Sequence, residues 1–221
     1  MRSVLSLIVG VPLMAWFLSQ CRKPSGPMGR RVVAAMNLTH SGLTEWGLTH
    51  VAVRTTDAIL DVGCGGGRTV QKLSALAPSG RVTGIDYSDA SVEASKALNA
   101  GAIAEGRVTI TSGSVAALPF PDGAFDLITA VETHYYWPNL PGSVREVLRV
   151  LKPGGTFAII AETHRAGRLL GAHGVIMKIL LRAAVLTRAQ HEALLAQAGF
   201  TNVAADTKGA WICVTGRRPA A

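Results

Sequence analysis

The stretch ILDVGCGGGRTV, residues 59–70, runs a strand-like Ile-Leu-Asp-Val into four glycines among five residues and then straight into helix-like sequence. Glycine inside a regular element costs stability. A cluster of it at a strand end marks a place where a ligand or another stretch of backbone comes very close. Outward from this point, strands and helices alternate. Strands are expected at 58–62, 81–86, 107–111, 125–131 and 156–161, with helices at 69–77, 89–99 and 141–151 between them. Ser88 and Asp89 offer the cap of the second of these helices, and "KPGG" reads as a tight turn before the fifth strand. Two more strands, "FTNVAADT" and "GAWICVTG", close the chain after a helix that Thr187 and Gln190 open with a capping box and Gly199 ends. Such alternation predicts an α/β fold, a mostly parallel sheet with helices on both faces.

In a sheet of this kind, a glycine loop between the first strand and the first helix lets backbone approach a nucleotide-like ligand. Two ligand classes compete. The dinucleotide fingerprint GxGxxG, counted from Gly63, requires glycine where Arg68 stands, so a nicotinamide oxidoreductase is disfavoured. What stands here is Asp61 followed by Gly63, Gly65 and Gly67. An acid at the strand end suits a ligand with a cationic amino group and would be repelled by a pyrophosphate. Asp86, 23 residues after Gly63, ends the second strand and is placed to accept hydrogen bonds from both hydroxyls of a ribose.

With these residues the sequence resembles the class I S-adenosylmethionine-dependent methyltransferases. "ILDVGCGGG", "VTGIDYSD", "LPFPDGAFDLI" and "VLRVLKPGGTFAII" stand in that family's order and spacing from Ile59 to Ala161. The branch it is most similar to is the small-molecule group containing ubiquinone and menaquinone methyltransferases. The resemblance implies a Rossmann-like sheet of seven strands with the last one antiparallel, and S-adenosylmethionine as cofactor. It also implies that backbone of Gly63, Cys64 and Gly65 meets the methionine part, with Asp61 near the amino group, Asp86 on the ribose and Tyr87 on the adenine. Relatives carry an acid in "GDAxxLPF" for the adenine amino group. Here "GSVAALPF" puts Ser114 there, a weaker partner than a charge. Gly67, Val115, Val131 and Glu132 complete the implied cofactor-binding set.

Methyl transfer from a sulfonium asks the protein to hold donor and nucleophile in line and to exclude water. A base is needed where the nucleophile must lose a proton. The candidates lie in "VETHYYW" after the fourth strand, where His134 is the candidate general base. The competing reading of His134 is a polar residue bonded to nearby backbone. Tyr135, Tyr136 and Trp137 are read either as the lining of an apolar substrate slot or as packing. His40, Trp46 and His50 belong to helical sequence that in relatives folds over the cofactor.

Composition bounds the rest. With 221 residues and 48% apolar residues, the chain is long and hydrophobic enough for one cored domain. Cys21, Cys64 and Cys213 are odd in number and widely spaced, which argues against a disulfide framework, and Cys64 is read as structural. No closely spaced Cys/His set suggests a metal, so none is expected. The net charge of +8 concentrates in the C-terminal part, but without an arginine-rich run interleaved with aromatics it does not argue for nucleic acid. Residues 1–23 form an apolar N-terminal segment, short of an ordinary span and interrupted by Pro12, read either as a lid or membrane-associated helix or as a short membrane anchor. Residues 24–221 form a single methyltransferase domain with a cap insertion at about 164–186, whose Lys178 and Arg182 share an otherwise apolar helical face. The expected setting is cytoplasmic, with peripheral membrane contact through the N-terminus and cap. The expected partner is a small molecule. An inactive cofactor-binding protein acting at a membrane or on a partner is the alternative.

Overall fold

The computed structural model describes residues 19–20, 22–162 and 184–220. The apolar run up to Leu18 and the expected cap as far as Ala183 lie outside the described residues. Ahead of the sheet the described residues hold α1 (Gly26–Thr39) and α2 (Ser41–Leu48), so the expected helical stretch is broken at His40. There follow β1 (Ala58–Val62), α3 (Arg68–Leu76), β2 (Arg81–Asp86), α4 (Asp89–Leu98), the short α5 (Ala100–Ala104) and β3 (Val108–Ser112). The second half holds β4 (Phe125–Val131), a 3-10 turn (His134–Tyr136), α6 (Leu140–Val150), β5 (Leu151–Ala161), α7 (Arg188–Ala198), β6 (Thr201–Lys208) and β7 (Trp211–Arg217).

The seven strands form one sheet in the order β3-β2-β1-β4-β5-β7-β6. All neighbours are parallel except β7, which runs antiparallel to both β5 and β6. Burial on both faces explains the near-continuous apolar strands. On one face Leu60, Ile128 and Phe157 pack with Val144 and Val147 of α6 and Leu195 of α7. On the other, Ile59, Leu127 and Ile160 pack with Leu73 of α3, Val92 of α4 and Leu43 of α2. The strand order reverses between β1 and β4, and that switch point at the carboxyl ends of the strands is where such sheets bind ligands.

Local signals explain most boundaries. Ser88 Oγ accepts from Ser91 N at 3.3 Å to open α4. The α7 capping box is complete: Thr187 Oγ1 accepts from Gln190 N at 3.2 Å, and Gln190 Oε1 accepts from Thr187 N at 2.8 Å. Gly199 ends that helix at φ +105°. "KPGG" departs from expectation: it is a bulge inside β5, across which the pairing jumps from Phe125 with Leu151 to Leu127 with Thr156. Its cause is the C-terminus, because Gly154 N donates to Arg218 O and Arg218 N to Gly155 O, both at 3.0 Å, drawing the extra residues into the sheet.

Helix α2 approaches β5 through Gly47, where a Cβ would stand 2.5–2.7 Å from the buried side chain of Ile160. Gly47→Ala is therefore expected to destabilise the fold by about 1–3 kcal/mol through overpacking, read as a lower urea midpoint at unchanged m-value. A midpoint equal to wild type would show that α2 shifts freely over the sheet.

Candidate active site

The glycine loop is built by backbone conformations that side chains resist. Gly63, Gly65 and Gly67 have φ of +75°, +50° and +82°. Gly63 and Cys64 donate their N–H groups to Ile85 O at 2.7 and 3.0 Å, which ties the loop to β2. A Cβ on Gly63 would lie 2.0 Å from Thr133 Oγ1, whereas one on Gly65 would meet nothing within 4 Å, because that backbone faces open space. The space is a cavity of about 250 Å³ at the switch point.

The cavity gathers most of the expected residues. Gly63, Cys64, Gly65, Asp86, Tyr87, Ser114, Val115, Val131 and Glu132 all line it. Asp86 Oδ2 accepts from Gly65 N and its Oδ1 from Ser88 N, both at 2.9 Å. Burial raises its carboxyl above the usual range, opposed by those backbone hydrogen bonds. The Tyr87 hydroxyl donates to Arg22 O, and Lys23 Nζ lies 5.3 Å from its ring centre, so the chain just ahead of α1 covers this end of the cavity. Ser88 Oγ fastens the same segment by donating to Pro24 O at 2.6 Å.

Three expected residues lie elsewhere. Asp61 is 2% exposed and absent from the cavity wall, because the β1–β4 register sets it opposite Thr129, whose hydroxyl donates to Asp61 Oδ1 at 2.6 Å. Burial, with the Asp86 charge nearby, pushes its carboxyl up to about 7 against the Thr129 hydrogen bond. Gly67 caps α3 instead of facing the cavity. A Cβ there would strike Ser95 Oγ and Asn99 Nδ2 of the neighbouring helix at 2.4 and 2.5 Å.

His134 is wholly buried and does not line the cavity. Its Nε2 lies 3.0 Å from Nε2 of His191 on α7. His191 Nδ1 must donate to Thr187 O at 2.9 Å, so in the neutral pair His134 Nε2 is the donor to His191, leaving His134 Nδ1 as a lone pair without a hydrogen-bond partner among the described residues. Burial drives His134 well below the ordinary histidine range, aided by His191. The His134–His191 contact ties α7 to the turn after β4. Burial raises the Cys64 thiol well above its usual range, which disfavours the thiolate.

The expected lid residues separate. His40 enters the cavity wall, whereas Trp46 packs on Trp211 at 5.9 Å and His50 lies 3.4 Å from Asp206, both at the β6–β7 side. Glu132 has φ +57°, a left-handed conformation that non-glycine residues seldom adopt. Its Oε1 accepts from the Tyr135 hydroxyl at 3.0 Å and from Glu162 N. Burial pushes its carboxyl up to about 7, whereas burial lowers His40 below its usual range. Val33, Met36, Tyr136 and Trp137 furnish apolar wall next to these groups.

A sheet of this order, with a glycine loop after β1 and an acid ending β2, defines the Rossmann-like methyltransferase architecture. Residues 60–159, a little under half of the chain, match the family described as "Methyltransferase domain", and the sheet has the strand order of the class I methyltransferase fold. Demethylmenaquinone methyltransferase of Symbiobacterium thermophilum is 34% identical over 118 residues, 53% of this chain and 47% of that protein. The 27-O-demethylrifamycin SV methyltransferase of Amycolatopsis mediterranei is 35% identical over 107 residues, 48% of this chain and 39% of that protein. The chain thus spans less than half the length of either relative. Among solved structures, the complex between the Haloferax volcanii Trm112 methyltransferase activator and a putative methyltransferase contains a similar fold, with a TM-score of 0.74 at 20% identity over 85% of this chain and 93% of that one.

Proposed function

We propose that the protein transfers a methyl group from S-adenosylmethionine to a small hydrophobic molecule. The observation that carries the reading is one cavity with the Gly63–Gly65 loop and Asp86 in one part of its wall and Val33, Met36, Tyr136 and Trp137 in another. The chain's own groups fit the cofactor. Gly65 presents open backbone, and the Asp86 carboxylate, held by backbone N–H groups of the loop and of the residues that follow it, lines the cavity where its remaining lone-pair capacity can meet ribose hydroxyls. Tyr87, Ser114 and Val115 flank the adenine, while Val131 and Glu132 stand toward the reacting end. Asp61 acts from behind the loop, its charge biasing the site toward the cofactor's ammonium without touching it. The bound cofactor supplies an electrophilic methyl on a sulfonium. The protein holds the acceptor in line beneath α1 and keeps water out with the apolar wall. The acceptors named for the two relatives, a demethylmenaquinone and a demethylrifamycin, support an organic small molecule here.

The test is transfer of label from methyl-tritiated S-adenosylmethionine into a cell extract separated into lipid, soluble and macromolecular fractions, with Asp86→Ala as the blank. Label in the lipid fraction is the expected result. Label confined to the soluble fraction would remove the hydrophobic acceptor. No label with cofactor binding intact would leave a binding protein without catalysis.

A further inference from the structure

Three side chains from separate elements converge at the carboxyl edge of the sheet: His40 at the α1–α2 junction, Glu132 after β4 and Glu162 after β5. One donor atom from each lies within 4.8 Å of the other two. Ligands bound at about 2.0–2.2 Å stand about 3–4 Å apart, so side-chain rotations that move the donor atoms by about 1–2 Å close the set. We propose that His40, Glu132 and Glu162 bind a divalent transition-metal ion at the wall of the cavity.

The surroundings resemble a supported ligand set. Both hydrogen bonds to the Glu132 carboxylate, from the Tyr135 hydroxyl and Glu162 N, fall on Oε1, which fixes the group and leaves Oε2 for an ion. His40 is fixed by its backbone, which donates to Met36 O at 3.1 Å and accepts from Thr44 N at 3.0 Å. Two carboxylates this close repel each other unless a proton or cation lies between them, and among the described residues neither has an ion-pair partner. One imidazole and two carboxylates suit Mn²⁺, Fe²⁺, Co²⁺ or Zn²⁺ better than Mg²⁺, which prefers oxygen alone. His40 and Glu132 both face the cavity, so the open coordination positions point toward it, where an ion would hold and polarise an oxygen of the acceptor. Ion binding is independent of the methyl-transfer reading and is measured without cofactor or acceptor.

The experiment is a Co²⁺ titration of full-length protein lacking any histidine affinity tag, followed by visible absorption. His40→Ala, Glu132→Gln and Glu162→Gln are compared with Glu93→Gln on the exposed face of α4 as control. The expected result is one Co²⁺ per chain, bound at least tenfold more weakly in each of the three variants and unchanged in the control, with Mg²⁺ failing to displace it. Glu162 is exposed, so Glu162→Gln decides the matter even if a variant at the half-buried Glu132 fails to fold. Absence of stoichiometric binding, equal affinity in all variants, or a thiolate-to-cobalt band placing the ion on a cysteine would each overturn the site.

Discussion

Asp86→Ala is expected to weaken binding of S-adenosylhomocysteine by about two to three powers of ten, equivalent to about 3–4 kcal/mol. Two effects add. The variant loses a carboxylate whose free lone pairs would receive two ribose hydroxyls, each a charge-assisted bond of about 1.5–3 kcal/mol in a buried setting. It also frees Gly65 N and Ser88 N, which Asp86 holds at 2.9 Å, and so loosens the loop that shapes the cavity. Calorimetric titration measures the first effect, and the melting temperature monitors the second. Asp86→Asn, which keeps one acceptor oxygen, should fall between wild type and the alanine variant. An alanine variant that binds within threefold of wild type would show that the ribose is held elsewhere.

Asp61→Asn should stabilise the cofactor-free protein in a pH-dependent way. The folded state raises this carboxyl from 3.8 to about 7, chiefly through burial. Between these values the folded chain holds a proton that the unfolded chain has released. The group's cost to stability is therefore absent below about pH 4, grows as pH rises toward 7 and is constant above it. Its full size is on the order of 2–4 kcal/mol. Asparagine cannot ionise yet keeps an acceptor for the Thr129 hydroxyl. At pH 8 the variant should exceed wild type by about 2 kcal/mol, roughly 5 °C in Tm for a chain of this size, and near pH 4 the two should coincide. Urea unfolding across this range is the measurement. A variant less stable than wild type by the same amount at every pH would mean that Asp61 contributes geometry and no buried charge. Cofactor binding should weaken in the same variant, the exchange of stability for function common at binding sites.

What the residues express locally was legible without coordinates. The alternation of strands and helices, the Ser88 and Thr187 caps, the Gly199 stop and the glycine loop after β1 each depend on a handful of neighbouring residues. The acid at the end of β2 was equally readable, because a strand end is a local event and the switch point follows from strand order. Contacts across long separations were not readable this way. Asp61 belongs to the loop motif, but the β1–β4 register turns it toward Thr129, 68 residues away. His134 stands in the right segment for a base, but helix α7 brings His191 against it from 57 residues on and removes it from the cavity. "KPGG" has turn composition, and only its pairing with the C-terminus makes it a bulge. His40, Glu132 and Glu162 show no metal-ligand spacing along the chain, yet they meet at one edge of the sheet. The sequence by itself determined the elements, their order and the backbone of the cofactor loop, because propensity, capping and glycine conformation act within a few residues. The tertiary structure alone decided which titratable side chains face the cavity, because strand register and helix packing set their partners.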